Sequence, residues 1–226
     1  VAIRKLAAET LGTALLLISV VGSGQMATNL TEDVALQLLI NSVVTSLTLF
    51  VIITLLAGIS GAQFNPVVTL IALYQKSITV TNAIAYIICQ VVGALIGVFL
   101  ANAMFENPII YMSQKDRTGF HLLLSEAIAT AGLVFVIFTA IARKQTQLIP
   151  VLVSAWIGGA YFFTSSTSFA NPAVTFARSF TDTFSGISIA SAPAFIGAQV
   201  IGALIGFILV LLISVDPANR NEKSNG

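Results

Sequence analysis

Asn65-Pro66 and Asn171-Pro172 are the residues of this chain whose type and spacing could do chemistry. Asparagine just before proline is a good helix N-cap, and proline suits the first helical turn, where its missing N–H leaves no bond unmade. Each pair predicts the start of a short helix, over 65–76 and over 171–180. An amide held at a helix start offers hydrogen bonds to a neutral polar molecule, while the partial positive charge of the helix end repels cations. Small polar residues crowd the approaches: Ser60, Gly61 and Gln63 before the first pair, Thr164 to Ser168 before the second. Extended backbone over 58–64 and 164–170 would add carbonyl acceptors. This is chemistry of binding and passage. No nucleophile–base pair, acidic pair or metal cluster falls in the apolar runs, so no catalytic residue is assigned. A single histidine, His121, and a single cysteine, Cys89, argue against a His/Cys metal site, and no cofactor is implied.

The surrounding chain says which solvent these helices meet. Of 226 residues 57% are hydrophobic and 8% charged, with a mean hydropathy of +0.97. A soluble domain is about one quarter charged, so the expected solvent is a lipid bilayer. A formal charge of +1 carries no nucleic-acid signal. Apolar runs near 6–23, 34–58, 80–104, 121–142, 148–166 and 191–214 are each long enough to span. The pieces 65–73 and 171–180 cannot cross alone. Glu9 interrupts the first run as Glu126 interrupts the fourth, which favours a retained helix over a signal peptide.

The chain repeats. Residues 90–97 (QVVGALIG) match 199–206 (QVIGALIG) at seven of eight positions, NPVVTL matches NPAVTF, and Glu9-x-x-x-Thr13 matches Glu126-x-x-x-Thr130. The expected halves are 1–113 and 114–215, each with three spans and one re-entrant half-helix, joined by a polar connector over 105–119 and followed by a polar tail, 216–226. Three spans is an odd number, so the second half enters the membrane from the opposite side: an inverted repeat. The fold class is all-α, six transmembrane helices with two re-entrant half-helices. Non-helical backbone at membrane depth must be buried in protein or line a cavity, so the half-helices belong inside the bundle, with Asn65 and Asn171 meeting near the midplane. Arg4, Lys5, Lys76, Arg143, Lys144, Arg220 and Lys223 on one side outnumber Lys115, Arg117 and Arg178 on the other, which predicts both termini in the cytoplasm.

The boxes GAQFNPVVTL and SFANPAVTFARSF, with Glu9, Gln90, Glu126 and Gln199, resemble the aquaporin and glycerol-facilitator superfamily, the major intrinsic proteins, over roughly residues 4–214. The resemblance implies a multi-pass channel in the cell (inner) membrane, assembled as a homotetramer with one pore per subunit. It implies that Asn65, Pro66, Asn171 and Pro172 mark the pore midplane. It also implies that Glu9 and Glu126, supported by Gln90 and Gln199, hold the re-entrant backbone. An ionisable residue in an apolar span is functional or paired, which agrees. Counting from the asparagines as the family does places four filter positions at Thr45, Gly159, Ser168 and Val174. Water-selective members carry arginine where Val174 stands and an aromatic residue where Thr45 stands, so a widened filter without its cation is expected. Tyr161, Phe162 and Phe163 could refill part of the gap. Val67 replaces the usual alanine, for packing or for a slight narrowing.

Arg178 lies one helical turn beyond Val174. It is read either as an outer-vestibule residue that attracts polar solutes or as an interfacial arginine that caps carbonyls or pairs with Asp182. The second box, with its arginine three residues after Thr175, resembles a bacterial subgroup associated with arsenic detoxification. That leaves water, small polyols, urea and neutral arsenic hydroxide or methylarsenicals as candidate solutes. A passive channel is the leading reading; a secondary transporter with an inverted repeat is the alternative.

Overall fold

The computed structural model describes residues 2–214. Among them the helices are α1 (Ile3–Leu30), α2 (Val34–Ser60), α3 (Pro66–Tyr74), α4 (Val80–Met104), α5 (Phe120–Ala142), α6 (Ile149–Phe163), α7 (Pro172–Ala177) and α8 (Ala192–Ser214), with 3-10 turns at Thr146–Leu148 and Arg178–Phe180. Six of these segments are long and apolar enough to cross a membrane; α3, with nine residues, and α7, with six, are the half-helices. The expected tail, 216–226 with Arg220 and Lys223, lies outside the described residues.

Local chemistry sets most helix ends. Asp33 caps α2 by accepting from Ala35 and Leu36 N–H groups, and Thr79 caps α4 by accepting from Asn82. The end of α3 is a Schellman-type turn: Ser77 N donates to the Ala72 carbonyl and Lys76 N to that of Leu73, with Lys76 left-handed at φ 58°. The half-helix therefore stops at Tyr74, short of residue 76. α1 overruns the expected 6–23, because hydropathy ends where Gly22, Ser23, Gly24 and Gln25 begin, yet those residues are buried. Tertiary packing carries the helix on to Leu30. α2 likewise stays helical to Ser60, so the non-helical approach begins at Gly61 (φ 92°) and not at residue 58, and it is left-handed at Gly61, Ala62 and Phe64 where extended backbone was expected. In the second half Thr164 to Ser166 form a turn, and 167–170, expected to be extended, are irregular, with left-handed φ at Thr167, Ser168 and Ala170.

Burial is inverted relative to a soluble protein. Leu47, Leu55 and Leu212 are more than half exposed, while Glu9, Gln90, Asn102, Glu126 and Gln199 have no exposed surface. Lipid is as apolar as leucine, so helix pairing rests on close packing. α1 crosses α4, and α5 crosses α8, over glycines. Gly93 and Gly97 sit on the carbonyls of Thr10 and Ala14; Gly202 and Gly206 sit on those of Ala127 and Ala131. The two crossings share one register, which is the inverted repeat seen in packing.

Candidate functional site

Each half-helix is led in by a strip of strained backbone. Ala62 and Phe64 in the first strip, and Thr167, Ser168 and Ala170 in the second, have φ between 47° and 64°, a region that costs about 1–3 kcal/mol for a residue with a Cβ. Two buried carboxylates hold the strips. Glu9 accepts from Ser60 Oγ (2.6 Å), Gln63 N (3.0 Å), Phe64 N (2.8 Å) and Gln90 Nε2 (2.8 Å). Glu126 accepts from Phe169 N (2.9 Å), Ala170 N (2.9 Å) and Gln199 Nε2 (2.6 Å). Every contact is a donor, which suits an acceptor-only carboxylate. Gln90 and Gln199 also donate to Thr69 and Thr175 Oγ1 (2.9 and 2.7 Å), tying each bracket to its half-helix. A trans peptide points its C=O opposite its N–H. With the N–H groups of Gln63, Phe64, Phe169 and Ala170 turned to the carboxylates, the carbonyls of Ala62, Gln63, Ser168 and Phe169 turn the other way.

The two strips meet at the asparagines. Asn65 Nδ2 donates to the Ala170 carbonyl and Asn171 Nδ2 to the Phe64 carbonyl, both at 2.8 Å. Each Oδ1 accepts from its own helix start: Asn65 from Val67 N, Asn171 from Ala173 and Val174 N. One N–H of each amide is thus committed across the contact. The second N–H is left for whatever occupies the cavity of about 240 Å³ that both residues line. That cavity runs from Gln75 and Ser77 at one end, past Asn65 and Asn171, to Arg178 at the other. One wall carries the carbonyl strips; the other is apolar, with Leu16, Leu49, Ile53, Leu133 and Ile157.

Of the four counted filter positions, Thr45, Ser168 and Val174 line the cavity and are buried. Gly159 does not. It is exposed, and a Cβ there would make ordinary contact with Phe163 at 3.7 Å. The face of α6 that meets the cavity is Val153, Ile157 and Tyr161, residues four apart and hence on one side of the helix. Tyr161 fills the place expected to be empty, its hydroxyl 3.2 Å from Thr45 Oγ1, whereas Phe162 and Phe163 are exposed. Val67 packs with Val134, Phe138 and Phe207 and serves the core. Gly159→Ala is therefore expected to leave stability within about 0.5 kcal/mol and solute selectivity unchanged, while Tyr161→Ala raises glycerol flux relative to water flux. Stopped-flow on the two variants checks this; a selectivity change in Gly159→Ala alone would contradict it.

Arg178 also departs from expectation. It is 3% exposed and lines the cavity beside Val174, so it is neither interfacial nor set out in an open vestibule. Its Nε donates to the Ser185 carbonyl, the capping part of that reading, and its guanidinium carbon lies 3.4 Å from the Phe169 ring centroid. Asp182 instead accepts from Gln114 N (3.0 Å).

Residues 1–169 match the family profile of the major intrinsic proteins. The chain belongs to the major intrinsic protein family. This major intrinsic protein is 47% identical over 207 residues to "Aquaglyceroporin AqpS" of Rhizobium meliloti (strain 1021), covering 92% of this chain and 88% of that one. It is 31% identical over 201 residues to "Aquaporin C" of Dictyostelium discoideum, covering 80% and 71%. Its fold is similar to the X-ray structure of the aquaglyceroporin from Plasmodium falciparum, with a TM-score of 0.67 at 18% identity over 94% and 95% of the chains. A major intrinsic protein is an integral, multi-pass membrane protein of a channel family, and this one has the six spans and two half-helices of that fold.

Sequence reasoning on this major intrinsic protein missed the role of the connector. Residues 105–119 are tied to the segment that follows α7: Tyr111 N donates to the Phe180 carbonyl, Ser113 N to that of Ser179, and Ser188 N to that of Lys115. Arg117 in it donates through Nε to Gly186 O and through Nη1 to Ser166 O. It also missed the Thr69 and Thr175 links, for which a signal existed: a threonine four residues after each boxed asparagine.

Proposed function

We propose that this protein is a passive channel for small uncharged solutes, and the observation that supports this most is the one cavity running past both crossed asparagines. A solute exchanges water for the free amide N–H of Asn65 and Asn171 and for the carbonyls of the two strips, with no covalent step. The apolar opposite wall keeps the file narrow and gives an ion nothing to replace its hydration shell. The filter of this reading is formed by Thr45, Ser168 and Val174, with Tyr161 in the place of Gly159. Valine where water-selective members carry arginine leaves it wider than a water filter, so glycerol-like polyols and neutral arsenic hydroxides join water as candidates; the 47% identical relative is named an aquaglyceroporin. Residues 1–113 and 114–215 act as the two halves of one membrane domain, in the inner membrane with both chain ends cytoplasmic, and the exposed apolar helix faces suit a homotetramer. Both intramembrane carboxylates are taken up by backbone and glutamine donors, which supports a channel over an ion-coupled transporter.

A stopped-flow panel of water, glycerol, urea and arsenite on reconstituted vesicles tests the reading. Flux should be linear in solute and indifferent to Na⁺ or proton gradients; dependence on either gradient would sink it. Val174→Arg should lower glycerol flux by about tenfold or more while water flux falls less. Equal losses for both would remove Val174 from the filter.

A further inference from the structure

The Arg178 end of the cavity holds positive charge. Arg178 is 97% buried against the wall, and only its Nε has a protein partner among the described residues. Its two terminal nitrogens, four N–H donors, are left to the cavity it lines. Arg117 reaches the same Phe169 ring from the connector. Its guanidinium carbon is 4.9 Å from the centroid of the Phe169 ring over which Arg178 stacks, and Ser166 and Gly186 carbonyls fix it there. Burial pulls the Arg117 guanidinium down to about 10, which leaves it cationic at neutral pH.

The charge of the Glu126 carboxylate acts on both guanidinium groups through space, but the hydrogen bonds of the nearby carboxylates go elsewhere. Both oxygens of Glu126 are committed to the backbone of 169–170 and to Gln199, and Asp182 Oδ1 is committed to Gln114 N. Two guanidinium groups sharing one ring repel each other, and an anion between their free N–H groups relieves that repulsion.

We propose that Arg178 and Arg117 form a binding site for a small tetrahedral oxyanion at this mouth, and that an anion held there plugs the passage. It cannot go further. Beyond Phe169 the strips present carbonyl oxygens, which repel it, and the facing wall is apolar. The site thus adds anion block to the proposed channel, and the block rests on that channel reading.

The test uses sodium sulfate on full-length protein in two formats: solute flux in proteoliposomes, with chloride at matched ionic strength as control, and calorimetric titration in detergent. Flux of the solutes that the wild type passes should fall saturably with sulfate and not with chloride. Each variant is compared with its own sulfate-free flux. In Arg178→Gln the half-blocking sulfate concentration should rise about tenfold, with Arg178→Lys in between. Arg117→Gln, altered only in the connector, should show a smaller rise and stands in if Arg178→Gln does not elute as the wild type does. Wild-type flux indifferent to sulfate, or equal block in wild type and both glutamine variants, would overturn the proposal. If no solute passes at all, the channel reading fails, and the calorimetric titration decides the site: sulfate binding lost in Arg178→Gln supports it, and no wild-type binding refutes it.

Discussion

Glu9→Ala is expected to leave little folded protein at temperatures where the wild type is stable, and Glu126→Ala to be nearly as damaging, because each substitution orphans buried donors that nothing else can reach. Glu9 serves four donors and Glu126 three. An unsatisfied buried donor costs about 1–3 kcal/mol, so either loss is a large share of a total stability of about 5–15 kcal/mol. The strained residues add to this. Ala62, Phe64, Ser168 and Ala170 hold positive φ only while the carboxylates fix the peptides between them. Glutamine does not rescue either site, since its NH2 would face N–H groups. The order matters as a check: a lower midpoint for loss of the monodisperse size-exclusion peak on heating in Glu9→Ala than in Glu126→Ala, and both well below wild type. If either alanine variant kept the wild-type midpoint, the carboxylates would not be what holds the strips.

The second large effect is expected at the helix crossings. A Cβ on Gly206 would lie well inside contact distance of the Ala131 carbonyl, and one on Gly97 would overlap that of Ala14. Both obstacles are backbone and cannot swing aside, so α8 must move off α5, or α4 off α1. Overpacking of this kind costs about 1–3 kcal/mol for small additions, and Gly206→Leu should exceed that and abolish the folded peak. Gly197, on the same helix as Gly206, has nothing within 4 Å of its would-be Cβ. There alanine should stabilise, by up to about 1 kcal/mol of helix propensity. Opposite signs for Gly206→Ala and Gly197→Ala in thermal midpoint are therefore predicted, with Gly97→Ala following Gly206→Ala. The same sign at Gly197 and Gly206 would mean that the crossings are looser than the geometry says.

These two sets of residues were also the most legible in the chain. The glutamates stood out because a carboxylate inside an apolar run needs partners. The glycines stood out because the same eight-residue pattern occurs twice. Tyr161 and Arg178 were harder. Gly159 was placed in the filter by counting back from Asn171, but the count crosses the irregular stretch 164–170, and a turn there shifts the helical phase. Arg178 was assigned to a mouth or an interface because it lies one helical turn beyond Val174. The fold keeps it at one end of the cavity but buries it against Phe169 and the Ser185 carbonyl, neither of which sequence spacing could bring to it.

By itself the sequence determined the solvent, the six spans, the two half-helices, their inverted relation and the carboxylates that brace them. Those follow from composition over about 20 residues, from helix-start chemistry and from internal repetition, all of which act locally or twice over. Only the tertiary structure decided which wall residues face the cavity, where α1 ends, and that the connector is tied to the segment after α7, with Arg117 and Arg178 at one Phe169 ring. Those depend on contacts between segments far apart in the chain, where ring direction and helix phase are set by neighbours that a linear reading does not supply.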